Sequence, residues 1–292
     1  MECNALRKDD PQKVLSKVLY SIDCALVSCE GNLEKSSYWL STFCRILVLV
    51  RKLLSDDTLD KDDRLTRHEI GFECFSLRLK TVYSDIIRTV LLDVRRSFVP
   101  AVIKSDDEAL NCGSLPQARG PRPFDAMREL VINPLQQSLN TLKANAVPQS
   151  VTLQIFTQVC YTMCAVVFNY VMRHKEVNTA EMGLKIKMEL AKFRDWAHRA
   201  GLAKAYDALT PLEEATIVMV AEKSIFSDST ILASICPSLS LAQVRIILSA
   251  FGDQVSQDII FGLKSQSASE DTEEMDETFV NRISYDFLET SQ

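Results

Sequence analysis

Residues 144–175 read ANAVPQSVTLQIFTQVCYTMCAVVFNYVMRHK. From Ala144 to Met172 there is no charged side chain, and Ile155–Met172 is almost continuously apolar, a length that approaches a membrane span. Yet Gln154, Gln158, Thr162, Ala165 and Asn169 recur at spacings of four, four, three and four, drawing a thin polar stripe along one helix face. A lipid-facing helix has no use for such a stripe, whereas the central helix of a soluble bundle does. The stretch therefore predicts a core helix that opens after Pro148 and ends at Arg173-His174-Lys175. It sets the fold class as all-α.

Helical periodicity extends outward on both sides. Upstream, Val14, Val18 and Ile22 with Leu15, Leu19 and Leu26 make one apolar face after Asp10-Pro11, a cap residue followed by proline at the first helical position. Trp39, Leu40, Phe43, Ile46, Leu47, Val50, Leu53 and Leu54 make a second face. A third, long helix is expected from Thr66 to Phe98 on Phe75, Leu79, Val82, Ile86, Val90 and Val94, with Pro100 just beyond its end. Ser105–Pro123 holds Gly113, Pro116, Gly120, Pro121 and Pro123, the composition of a loop between two halves. Asn133-Pro134 reads as cap and proline of a short helix.

Downstream, Met182, Ile186, Leu190, Phe193, Trp196 and Ala200 define a face that stops at Gly201. Thr210-Pro211-Leu212-Glu213 and Ser240-Leu241-Ala242-Gln243 both have the form of a capping box, and the helix after the second is expected to end at Gly252. Ser267–Glu277 carries six acids, which predicts a solvated stretch, and Phe279, Ile283, Phe287 and Leu288 predict a short segment that folds back on the body. The expected organisation is an N-terminal helical subdomain over 1–105, a linker loop over 106–123, a second helical subdomain over 124–264, an acidic disordered stretch over 265–278 and a packing segment over 279–292. In fold terms this is two tandem helical bundles with long antiparallel helices.

Composition narrows the function classes. Eight of 292 residues are Gly, far below the usual ~7%, which with long periodic runs excludes a β-sandwich or a collagen-like chain. A formal net charge of −6, from 33 cations and 39 acids, argues against a general nucleic-acid binder. The nine cysteines are dispersed, form no CxxC pair and suit a reducing compartment. Cys160 and Cys164 read as core thiols at i,i+4, because His68, His174 and His198 give no zinc spacing around them. The first twenty residues carry charges at Glu2, Arg7, Lys8, Asp9, Asp10 and Lys13 among others and no apolar h-region, so no signal peptide is expected.

Catalytic patterns are missing from the sequence. It holds no GxxxxGK[ST], no GxGxxG and no GxSxG elbow, and His68-Glu69 is followed by Phe72 where HExxH needs a second His. The acidic run Asp56–Asp63 lacks the spacing and central Gly of a calcium loop. Arg95-Arg96, Lys185 and Lys187 read as ordinary helix-surface cations. The expectation is a protein without enzymatic activity, cofactor or metal.

Three runs within Leu142–Phe251 resemble the dilute domain, the core of the globular cargo-binding tail of class V and class XI myosins. Lys143–Pro148 followed by Gln154–Val159 is similar to that family's lead into its central helix. Val167–Lys175 is similar to its basic helix end, and Cys236-Pro237-Ser238-Leu239-Ser240 with Gln243 and Val244 to its cysteine–x–x–leucine–serine turn. Glu189–Trp196 adds a similar leucine and tryptophan, and Tyr38-Trp39-Leu40-Ser41-Thr42 matches the opening of the tail. The chain departs from the family at Val177-Asn178-Thr179-Ala180 and in its short acidic C-terminal region.

The resemblance implies a cytoplasmic cargo-binding tail on the actin cytoskeleton or vesicles, docking adaptor proteins or Rab-type GTPases, peripheral to vesicle membranes rather than spanning them. It also implies a fold-back contact with the motor head, in which the basic residue aligned with Lys175 faces an acidic patch. The family's second basic position falls at Ile246, beside Arg245, so the candidate partner-binding residues are Arg173, His174, Lys175 and Arg245. A dilute-domain scaffold of cell junctions or Ras-linked signalling and a helical vesicle-tethering subunit are the alternative readings.

Overall fold

The computed structural model describes residues 11–54, 61–104, 125–252 and 254–264, and these are helical with short connections and no strand. The helices are α1 (Pro11–Val27), α2 (Leu33–Leu54), α3 (Lys61–Ile103), α4 (Asn133–Ala144), α5 (Gln149–Arg173), α6 (Ala180–Ala200), α7 (Ala203–Tyr206), α8 (Thr210–Val220), α9 (Ser229–Ile235), α10 (Leu241–Ser249) and α11 (Gln254–Lys264). The all-α expectation holds. The Asp10 cap, the 106–123 linker, the acidic stretch 265–278 and the segment 279–292 lie outside the described residues.

By packing, the chain forms two units: residues up to Thr89 with Thr141–Val147, and Val90–Asn140 with the chain from Pro148 onward. In the first, Leu40, Phe43 and Leu47 of α2 and Leu79, Val82, Tyr83 and Ile86 of α3 are buried. The Trp39 ring lies 5.7 Å from Phe43, which in turn lies 6.3 Å from Phe75. Asp85 of α3 holds the α1–α2 turn, accepting from the Ser36 hydroxyl at 2.8 Å and from the Gly31 N–H at 3.3 Å. Gly31 sits at φ +72°, a left-handed position that glycine adopts without steric cost. Arg78 grips both carboxylate oxygens of Asp23 at 2.7 and 2.6 Å, which fixes α1 against α3.

The second unit is built around α5. Sixteen of its 25 residues are buried, and it packs against α7, α8, α10 and the 3-10 turn Asp207–Leu209. It is the one described helix long and apolar enough to cross a membrane, but its apolar surface is covered by protein. The stripe behaves as a core helix requires: Gln158, Thr162 and Asn169 are themselves buried, and the Thr162 hydroxyl bonds back to the Gln158 carbonyl at 2.9 Å. Cys160 and Cys164 are buried thiols; burial pushes both up, Cys164 to about 12, so neither forms a thiolate at neutral pH.

The face expected on α6 is the one the fold uses. Ile186, Leu190, Phe193 and Trp196 are buried, and Phe193 sits 6.3 Å from Phe98, 5.2 Å from Trp196 and 6.1 Å from Tyr206. Thr179 caps the helix start, accepting from the Met182 N–H at 3.1 Å. Gly201 closes it at φ +77°, with the Leu202 N–H returning to the Ala197 carbonyl. Gly183 lets α6 and α8 approach closely: a Cβ there would meet the Met219 Cβ at 2.7 Å and Val220 Cγ2 at 2.9 Å.

Three local expectations are corrected. The long helix starts at Lys61 and runs through Pro100 to Ile103. Pro100 forfeits its N–H bond to the carbonyl four residues back and crowds that turn, yet its own carbonyl still accepts the Lys104 N–H at 2.9 Å, so the helix continues for three more residues before it ends. Asn133 is not a cap, because the chain is already helical from Ala126 and passes through a π-turn, Arg128–Ile132. In that wider turn the Asn133 N–H bonds the Arg128 carbonyl, making room for Pro134, whose ring would clash with the carbonyl four residues back in a regular helix. Thr210 likewise has helical backbone and makes no capping box, since α7 and the Asp207–Leu209 turn lead straight into α8. Its hydroxyl donates backward to the Asp207 carbonyl at 2.6 Å. Only the Ser240–Gln243 box forms, with both reciprocal bonds present.

Candidate docking surface

The end of α5 carries three of the four sequence-nominated residues. Arg173 is its last residue and is exposed. His174 leaves the helix at φ −112°, ψ 84°, its N–H still bonded to the Tyr170 carbonyl at 3.0 Å. Its imidazole stacks on the Tyr170 ring at 4.2 Å and its Nδ1 lies 2.9 Å from a Glu176 carboxylate oxygen. The Glu176 carboxyl is held below its usual range, first by its own backbone N–H and then by His174. Lys175 opens the 3-10 turn Lys175–Val177 and is exposed. Its carbonyl accepts from the Asn178 N–H at 3.1 Å, while its ammonium points to no ion-pair partner among the described residues.

The four residues are thus not one equivalent cluster. Arg173 and Lys175 present charge outward at a helix C-terminus, where the dipole favours cations. His174 is half-buried and committed to Tyr170 and Glu176. Arg245 stands on a separate element, midway along α10, and is half-buried with Ile246 beside it.

Other charged groups serve the fold. Lys185, read from sequence as a surface cation, donates to the carbonyls of Ile103 and Lys104 at 2.9 and 2.5 Å and so caps the C-terminus of α3. Glu213, expected to close a capping box, instead accepts the Tyr206 hydroxyl at 2.6 Å and faces Arg194 at 3.5 Å. Burial, and then Glu213, push the Tyr206 phenol well above its ordinary range. Glu214 is buried and accepts the Ser238 N–H at 2.8 Å, holding the turn between α9 and α10. The sequence gives no signal for these pairings because each joins residues on different elements.

A concavity missed by sequence reading lies in the first unit between α1 and α3. It measures about 690 Å³ and is lined by Leu26, Val27, Leu77, Thr81 and the Asp23–Arg78 pair. Val27 and Leu77 are 77% and 65% exposed and join Leu26 and Val82 in a mostly apolar lining.

The DIL domain family matches residues 154–255, from within α5 to the start of α11. Unconventional myosin-Vb of Mus musculus is 22% identical over 258 residues, covering 82% of this chain and 14% of that protein. The chain therefore spans about one seventh of the length of the curated relatives it matches. Among solved structures, a myosin V cargo binding domain is similar with a TM-score of 0.64 at 17% identity, covering 91% of this chain and 70% of that one. Myo2-GTD in complex with Inp2 is similar with a TM-score of 0.66 at 16% identity, covering 90% and 69%; further structures of Myo2-GTD contain Smy1 or Mmr1. At such identities the structural likeness is one of fold. Residues 154–255 thus match the DIL domain family, and the chain has the fold of the myosin V cargo-binding domain.

Proposed function

We propose that this chain is a non-enzymatic docking tail of an unconventional myosin, taking cargo adaptor proteins or vesicle-attached Rab-type GTPases for actin-based transport in the cytoplasm. The observation that carries the reading is the DIL domain over 154–255 set within the cargo-binding-domain fold over nine tenths of the chain. The complexes of Myo2-GTD with Smy1, Inp2 and Mmr1 supply the partner class. The chemistry agrees with it: the buried polar groups Glu214 and Tyr206 are spent on turns and helix contacts rather than gathered around a substrate.

Within this reading, Lys175 and Arg173, with Arg245 as a second contribution, form an electrostatic contact for an acidic patch on the motor head. The test is a myosin V heavy chain carrying this chain in place of its own tail. Vesicles that move along actin with the hybrid motor are the expected result. A hybrid that walks on actin while vesicles stay diffusive overturns the reading.

A further inference from the structure

The first unit holds a second concavity, where the end of α1, the first turns of α2 and Asn145 after α4 meet; it measures about 490 Å³. Part of its lining is already satisfied, since the Ser28 hydroxyl and the Cys29 thiol both donate to the Ala25 carbonyl, at 2.6 and 3.0 Å. Two rings also line it. Trp39 is half-buried and backed by Phe43 at 5.7 Å, while Tyr38 is 59% exposed and crosses Trp39 at 78° with centroids 5.9 Å apart. Near-perpendicular rings, one held and one open, form a notch. Few hydrogen-bonding groups in it remain unspent. The Trp39 indole N–H has no acceptor among the described residues, unlike that of Trp196, which donates to Gln136 at 2.8 Å. The Asn145 amide nitrogen donates to the Thr141 carbonyl at 3.0 Å, which leaves its oxygen as an acceptor. Glu34 is exposed, stands one turn before Tyr38 and has no ion-pair partner among the described residues; Lys35 takes the same place before Trp39.

We propose that this notch binds a proline-rich segment of a partner protein in the polyproline II conformation, with a cation flanking the prolines. A polyproline II chain has no internal hydrogen bonds, so its carbonyls are free to accept the Trp39 N–H and its non-proline N–H groups to donate to Asn145. A docked helix has already spent both sets on itself. An added strand needs an open ladder edge, and the described residues form no strand. Proline rings pack on aromatic faces such as those of Tyr38 and Trp39, and a chain already extended has little conformational entropy left to lose. Glu34 supplies the charge complement, because its carboxylate shares a helix face with Tyr38 and favours an arginine or lysine at that end of the ligand. Lys35, beside Trp39, disfavours a cation at the other end. The notch lies outside residues 154–255, and its chemistry holds whether or not the chain serves a motor.

The test titrates the full chain with a synthetic decapeptide carrying an arginine ahead of a PxxP core, and follows the indole N–H resonances by isotope-edited nuclear magnetic resonance. The chain has two tryptophans, and Trp39→Phe identifies their signals by removing one. The Trp39 indole proton should move downfield and saturate as it gains an acceptor, while that of Trp196, already bonded, stays in place. Tyr38→Ala, at an exposed position, should lower the affinity by more than ~10-fold and leave the thermal unfolding midpoint unchanged. Glu34→Gln should weaken binding several-fold, and should have no effect on a peptide whose arginine is replaced by glutamine. A Trp39 signal that stays still with peptide at ~1 mM overturns the proposal. So do equal binding of a peptide with alanine in place of proline, indifference to Tyr38→Ala, or indifference to Glu34→Gln. Movement of the Trp39 signal with chain concentration alone assigns the notch to a second copy and overturns it as well.

Discussion

The interior of the second unit and the last turn of its central helix are made from the same continuous run of sequence, yet they answer to different physics. Ile155, Phe156, Val159, Met163, Val167, Phe168 and Val171 are at most 1% exposed, and a few residues on Arg173 and Lys175 face solvent. In the interior, volume and contact decide which side chain is tolerated, and a deleted methylene leaves a cavity. At the helix end no packing constrains the choice, and charge acts at a distance that salt can shorten. Substitutions should therefore separate the two regions by stability on one side and by partner affinity on the other.

The sharpest break comes from Phe193→Ala. The ring is fully buried and touches the Phe98, Trp196 and Tyr206 rings, so its loss should cost ~3–5 kcal/mol, the range for a large aromatic deleted from a core. Urea unfolding followed by circular dichroism measures it. A loss under ~1 kcal/mol would place Phe193 outside the packed interior.

Gly183→Ala probes the same interior from the overpacked side. Alanine raises helix propensity by about 1 kcal/mol, but its Cβ would sit 2.7 Å from that of Met219, where no flexible chain end can move aside. Overpacking of this kind costs ~1–3 kcal/mol, so a net loss of up to about 2 kcal/mol is expected in the same assay. A gain in stability would mean that α6 and α8 separate freely.

Ser240→Ala removes one half of the capping box on α10, whose hydroxyl accepts the Gln243 N–H at 3.2 Å. The expected loss is ~1 kcal/mol, the usual worth of an N-cap. Thr210→Ala serves as the control: the hydroxyl there accepts nothing from the helix start, so the loss should be smaller. Equal losses at the two positions would contradict the geometry of both caps.

These contrasts also mark what sequence reading reached. The apolar face of α6, its stop at Gly201 and the Ser240 box were legible because each depends on neighbours within one turn or two. The Thr210 pattern misled because Tyr206 already holds the Glu213 carboxylate and because the backbone is helical before Thr210 is reached. Pro100 misled because a proline removes one donor but keeps its carbonyl, which here still accepts from Lys104 and lets the helix run three residues further. The Lys185 cap spans 82 residues of sequence to the Ile103 carbonyl, beyond the reach of any local pattern. At the candidate docking surface, sequence placed Arg173, His174 and Lys175 on one helix end but could not show that His174 is taken by Tyr170 and Glu176.

The smallest stability effect is expected at Lys175, and it is the most informative about function. Its ammonium is exposed and has no ion-pair partner among the described residues, so the fold gains from it only the favourable end of the α5 dipole, roughly 0.3–1 kcal/mol. Lys175→Glu should therefore leave the unfolding midpoint close to that of the parent chain. If the exposed charge serves a partner, the same substitution should weaken binding to a cognate motor head, and the loss should shrink as salt is raised, because rim charges act mainly through screened, long-range attraction. His174→Ala should do less, since that imidazole is engaged locally. Motor-head binding measured by calorimetry at low and high salt separates the outcomes. Unchanged head binding at low salt, or a stability loss above ~1 kcal/mol, would leave Lys175 as a helix-end charge and remove it from the docking surface.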